Sequence, residues 1–178
     1  YSTKGEILMA KRSLTNKIFN AGPVILLYYL CISEVDSNLE KIFEIFTLNF
    51  QIILIYFWVL KRPDIMANGH IFLAGLINDV VMGFPLGISS LSYLIIIFVG
   101  TYVRNKSVNT TIASDWFTFF MAMIFSSLLF FSLLNNFSDL SFTYSKIGYN
   151  MFFTLFMFPI FWLLFNIYQM TFIGNRDA

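Results

Sequence analysis

The chain has 178 residues, of which 58% are hydrophobic and only 12% charged, and its mean hydropathy is +0.74. A soluble domain with those values would leave too much apolar surface in water, so the composition places the chain in the membrane class. The formal net charge of +1 says little by itself and gives no reason to expect a nucleic-acid partner. The single cysteine, Cys31, excludes an intrachain disulfide and a cysteine metal cluster, and the single histidine, His70, excludes a site built from two histidines.

Six apolar segments follow one another, at about 18–33, 42–60, 66–84, 87–103, 113–134 and 147–170. At about 1.5 Å per residue, spans of roughly 16 to 24 residues cover 24–36 Å, which suits a hydrocarbon core about 30 Å thick. The predicted fold class is therefore an all-α membrane protein, a single integral domain over 1–178 with six transmembrane helices. No A-x-A-like cleavage site follows the first segment, so it reads as a span and not as a signal peptide. The chain opens on Tyr1 and not on methionine, which predicts natural residues before it.

Lysine and arginine give the orientation. Lys4, Lys11, Arg12 and Lys17 precede span one, Lys61 and Arg62 link spans two and three, Arg104 and Lys106 link four and five, and Arg176 follows span six. Only Lys41 and Lys146 fall on the other side, with the acids Glu34, Asp36, Glu40, Glu44 and Asp139. Both termini are expected to be cytoplasmic. The first external loop, about 34–44, has Leu39, Ile42, Phe43 and Phe46 at helical spacing. A short interfacial helix and a solvated linker both fit it.

Arg62-Pro63-Asp64 closes span two as a basic anchor followed by a helix breaker; a docking point for a cytoplasmic partner is the sharper alternative. His70, about one turn into span three, is expected to be an interfacial side chain. Asn49 and Gln51 lie within span two and are expected to bond neighbouring helices, with a solute pocket as the alternative. Span three carries a deep acid, Asp79, about 19 Å from its start, beside Asn78 and between Gly75 and Gly83 at four-residue spacing. A carboxylate so placed is costly in hydrocarbon and normally faces protein. Small residues at that spacing let another helix approach closely. Two readings of Asp79 stay open: a structural hydrogen-bonding role, and a proton or cation site. The first is favoured because no intramembrane Lys, Arg or His accompanies it. Phe84-Pro85-Leu86-Gly87 then makes a tight turn that packs spans three and four as an antiparallel pair. Pro23 and Pro159 should bend spans one and six. Trp58, Trp116 and Trp162, with Tyr28, Tyr29, Tyr56, Tyr102 and Tyr168, lie near span ends as interfacial anchors do. No serine–histidine–acid set, metal cluster, Walker loop or dinucleotide glycine motif is present, so no catalytic residue, metal or cofactor is expected.

From Leu48 to Gly87 the chain resembles MreD, the rod shape-determining membrane protein family of bacteria. The matching parts are Tyr56-Phe57-Trp58, then Arg62-Pro63, then the run from Phe72 to Gly87, with Gly75, Asp79, Gly83, Leu86 and Gly87 in the places of the family's G-x-x-x-D-x-x-x-G-x-x-L-G pattern. Leu48 stands where the family often has proline. The resemblance implies a non-enzymatic subunit of the inner (plasma) membrane that serves cell elongation. Its implied partners are an MreC-like single-span periplasmic scaffold and, through it, MreB-like filaments and peptidoglycan synthases. The family is also distantly similar to the six-span substrate subunits of energy-coupling-factor transporters. That likeness, with Asn49, Gln51, Asn78 and Asp79, carries the rival expectation of a vitamin-like small-solute transport subunit. An intramembrane enzyme has least support, since no nucleophile–base pair can be named.

Overall fold

A computed structural model describes the backbone of residues 2–33, 41–106, 111–137 and 144–173, and the side chains of 18–33, 50–106, 111–137 and 151–173. The described residues contain six α-helices and no strand. In chain order these are α1 (Ser2–Ser33), α2 (Lys41–Lys61), α3 (Asn68–Met82), α4 (Ile88–Lys106), α5 (Ile112–Phe137) and α6 (Tyr144–Tyr168), the last running on into a π-helical turn, Gln169–Ile173. The expected loop over 34–40 lies outside the described residues. So do the side chains of Ile42, Phe43, Phe46 and Asn49.

α2 is the axis of the molecule. From Ile53 to Leu60 every residue is buried. The stretch is Ile-Leu-Ile-Tyr-Phe-Trp-Val-Leu, with no polar face, which suits enclosure by other helices or by hydrocarbon. α1, α4 and α6 pack directly on it. α3 fills the gap between α1 and α4, α5 fills the gap between α4 and α6, and the π-helical turn closes the ring back onto α1.

The ring is apolar outward and polar inward. Phe98, Phe117, Phe125, Phe152 and Phe156 are exposed, whereas Gln51, Asn78, Asp79, Ser89, Ser90, Asp115 and Thr154 are fully buried. Water would favour the opposite arrangement; hydrocarbon favours this one, because polar groups there must find protein partners. Ile88–Lys106, Ile112–Phe137 and Met151–Ile173 are each long and apolar enough to cross a membrane. α3 is shorter than its expected span, 15 residues or about 22 Å, because tight turns trim both of its ends.

The lysines and arginines whose side chains are described, Lys61, Arg62, Arg104 and Lys106, gather at one end of the bundle. There Arg104 donates from Nη1 to the Val59 carbonyl at 2.9 Å, placing a cation on the C-terminus of α2 where unpaired carbonyls gather negative charge. Arg62 and Asp64 form a two-bond fork (3.0 and 3.1 Å) across Pro63, directly after α2 ends. The opposite end of α3 and α4 carries the Pro85 turn.

The two prolines inside helices are each accommodated the same way. A helical proline has no N–H for the carbonyl four residues earlier. For Pro23 that carbonyl is Phe19, and the Tyr168 hydroxyl donates to it at 3.1 Å. For Pro159 it is Leu155, and the Trp116 indole donates to it at 2.9 Å. Gly22 leaves room for the first contact, since a Cβ there would meet the Tyr168 hydroxyl at 2.6 Å. Trp116, Tyr29 and Tyr102 are exposed near helix ends, but Trp58, Trp162 and Tyr56 turn inward and are buried. For those three the interfacial expectation gives way to packing on α2.

Candidate functional site

α3 ends in a Schellman motif, in which two backbone N–H groups beyond the last turn fold back onto its carbonyls. Gly83 takes the left-handed conformation (φ 68°), its N–H reaches the Val80 carbonyl at 3.4 Å, and the Phe84 N–H reaches the Asp79 carbonyl at 2.9 Å. A Cβ on Gly83 would meet nothing within 4 Å. Its glycine is required by backbone angle and not by the close approach of a neighbouring helix.

Gly87 (φ 101°) then opens α4, its carbonyl accepting from the Leu91 N–H at 2.8 Å. As the capping residue it has no side chain to cover the free N–H groups of the first turn. Asp79 supplies one from the preceding helix. Its Oδ2 accepts from the Gly87 N–H at 2.7 Å and its Oδ1 from the Ser89 N–H at 2.9 Å. One carboxylate thus performs both halves of a capping box, at the positive end of the α4 dipole. Hydrogen bonds to a charged acceptor contribute about 1.5–3 kcal/mol each. Val80 and Leu86 beside the turn are exposed apolar residues.

A second chain of bonds continues inward. Tyr93 donates its hydroxyl to Gln51 Oε1, Gln51 Nε2 donates to Asn78 Oδ1 at 3.4 Å, and Asn78 Nδ2 donates to the Ser89 hydroxyl at 3.1 Å. All four side chains are buried. The chain ties α2 to α3 and α4 with donors and acceptors alternating in one direction.

Gly75 marks the closest approach of α3 and α4. A Cβ there would lie 2.6 Å from Ser90 Cα and 2.7 Å from its nitrogen, and the Ser90 hydroxyl donates to the Phe72 carbonyl at 2.9 Å. Ser126 of α5 likewise donates to the Ser92 carbonyl at 2.9 Å. Serine hydroxyls therefore bond backbone carbonyls across both the α3–α4 and the α4–α5 contacts.

The sequence-predicted residues Gly75, Asn78, Asp79, Gly83, Pro85 and Gly87 thus converge on one hairpin. Arg62 and Pro63 lie at the far end, and His70 meets the Tyr28 hydroxyl at 3.3 Å on an exposed surface. Among the described residues no group of three His, Cys, Asp or Glu side chains could hold a metal ion.

Sequence reasoning passed over a second buried acid. Asp115, in the first turn of α5, is fully enclosed, and so Asp79 is not the lone acid of the interior. Lys61 Nζ lies 3.0 Å from its Oδ2, and the Trp162 indole donates to the same oxygen at 3.1 Å. The Lys61 ammonium also stands 5.5 Å from the Trp162 ring centre, within cation–π range. Oδ1 of Asp115 has no hydrogen-bond partner among the described residues. Thr111 caps this helix, its hydroxyl accepting from the Ser114 N–H at 3.3 Å. The available signal was a basic residue closing α2 and an acid opening α5, one net pair at one end of the bundle.

No family model, curated protein or solved structure matches the chain.

Proposed function

We propose that this chain is a non-catalytic scaffold subunit of the bacterial cell-elongation machinery, a multi-pass protein of the inner membrane with six spans and cytoplasmic termini. It regulates cell shape and peptidoglycan synthesis through an MreC-like single-span periplasmic partner, and through that partner engages MreB-like filaments and peptidoglycan synthases. Its helices are arranged in the manner of the energy-coupling-factor substrate subunits.

One observation carries the reading. Within the run from Phe72 to Gly87 the polar and small residues of the motif hold the α3–α4 hairpin: Asp79 on two backbone N–H groups, Asn78 between Gln51 and Ser89, Gly75 against Ser90, Gly83 and Gly87 in their turns. A motif with that role builds a rigid body for a partner and leaves no group poised for turnover. The rival transport reading needs Gln51, Asn78 and Asp79 to face a solute; Gln51 and Asn78 bond each other, and Asp79 bonds the Gly87 and Ser89 N–H groups. The gathering of Lys61, Arg62, Arg104 and Lys106 at one end supports a cytoplasmic placement of that end.

Affinity isolation in mild detergent tests the proposal. A single-span protein with a large periplasmic part should co-purify, and deletion of the chain should round the cells. Normal rods after deletion, with no such partner retained, would refute it. Retention of a vitamin-like compound that Asp79→Ala abolishes would establish the rival.

A further inference from the structure

Gly22 and Pro23 of α1, Trp58 of α2, and Leu164, Phe165 and Tyr168 of α6 enclose most of a cavity of about 290 Å³. Its lining is mainly apolar; of its lining residues Trp58 has a buried indole N–H with no hydrogen-bond partner among the described residues, and Tyr168 carries a hydroxyl. Leu164 lines the cavity and is also 52% exposed on the outer face of the bundle, so the mouth opens between α1 and α6 toward the surface that meets lipid. Ile25 and Leu163 are exposed apolar residues of the same two helices.

The size selects the occupant. One turn of a partner helix, about 10 Å across and 5.4 Å long, needs roughly 400 Å³ and does not fit. A single hydrocarbon chain is much narrower and enters for part of its length. Charge selects its headgroup. The cavity lies at the basic end of the bundle, because Trp58 is one helical turn before Lys61. α1 itself carries Lys4, Lys11, Arg12 and Lys17 ahead of Gly22, against the one acid Glu6. A negative headgroup at that level meets a helix with net positive charge.

We propose that the α1–α2–α6 cavity takes one acyl chain of an anionic phospholipid, with the phosphate level with the basic N-terminal half of α1. Tyr168 is the positioning residue of the site: its bond to the Phe19 carbonyl sets the width of the gap between α1 and α6. The inference rests on the membrane placement of these helices and is independent of the scaffold reading.

The test uses the full chain in detergent micelles, titrated with brominated phosphatidylglycerol or brominated phosphatidylcholine, with tryptophan emission as the readout. Bromine quenches only tryptophans it touches. The expected result is saturable quenching, at least several-fold stronger for the anionic lipid, of a fraction of emission that Trp58→Phe removes. Leu26→Phe, which fills the cavity from α1 without touching Trp58 as a fluorophore, should abolish that fraction. Replacing Lys11, Arg12 and Lys17 by Gln should erase the preference between lipids. Emission that stays unquenched, or quenching unchanged by Leu26→Phe, overturns the site. Equal quenching by both lipids in the unaltered chain overturns the anionic assignment.

Discussion

Asp79 and Asp115 are the same residue type with the same complete burial, at opposite ends of the bundle, and they are satisfied in opposite ways. Asp79 divides its two oxygens between the backbone N–H groups of Gly87 and Ser89. Asp115 concentrates Lys61 and Trp162 on one oxygen and leaves the other without a partner among the described residues. The first acid closes a local piece of chain, eight to ten residues long. The second joins three helices far apart in sequence, α2, α5 and α6. Burial alone therefore does not tell what a membrane carboxylate is for; the identity of its donors does. Backbone donors mark a folding role, and a formal charge partner marks a clasp between elements that pack separately.

The comparison predicts a difference in how each acid fails. Lys61→Met should be the most damaging single change, costing about 4 kcal/mol, since removing one partner of a buried pair leaves an uncompensated charge. Adding Asp115→Leu to it should recover much of the loss, because a matched apolar pair is tolerated where a stranded charge is not. Unfolding in mixed micelles with rising dodecyl sulfate reads both. If the double variant is no better than the single, the two side chains do not act as a pair.

Asp79→Leu should follow, at about 3 kcal/mol, with one buried and one part-buried N–H group stranded at roughly 1–3 kcal/mol each. No second substitution can rescue it, because its partners are backbone. Asp79→Asn keeps one acceptor oxygen and should lose about half as much. Equal loss for Leu and Asn would mean that the cap contributes nothing.

The two clusters also differ in how far the sequence revealed them. Asp79 was legible because all its partners lie within a continuous stretch, where Gly83, Pro85 and Gly87 announce a turn and a turn inside an apolar run needs an acceptor. Even there the reason for Gly83 was misplaced: four-residue spacing suggested helix contact, whereas its positive φ at the end of α3 is what requires glycine. Asp115 was not legible as a buried acid, since an aspartate in a first helical turn next to Trp116 looks like an ordinary boundary residue. Its burial comes from α2 and α6 arriving over it, which is tertiary information. The central place of α2 was not legible, since α5 and α6 are as apolar in sequence and lie at the periphery. The aromatic donors to the Phe19 and Leu155 carbonyls were invisible for the same reason: proline predicts the orphan, and nothing local predicts its partner.

Gly75→Ala sharpens the local side of the comparison. The added methyl would press on the Ser90 backbone, which cannot rotate away as a side chain would. Separation of α3 and α4 should cost about 2 kcal/mol, within the range for overpacked cores. It should also lengthen the Asp79 bonds to Gly87 and Ser89, so that Gly75→Ala and Asp79→Asn combine for less than their sum. Strict additivity would show that helix spacing and turn capping are separate devices.

The smallest effect belongs to the aromatic donors, and it tests whether long-range clasps share the vulnerability of Asp115. Tyr168→Phe removes only the hydroxyl that serves the Phe19 carbonyl and should cost about 1 kcal/mol, the net value of one neutral hydrogen bond. The ring remains to pack at a tilt against Phe172 and edge-on against Trp58. No charge is stranded. Lys61→Met should therefore exceed Tyr168→Phe by about 3 kcal/mol, the difference between the two estimates above, although each breaks one contact between distant helices. A comparable loss from both would mean that the cost of breaking a clasp in this bundle lies in the helix separation it permits, and not in the charge it leaves behind.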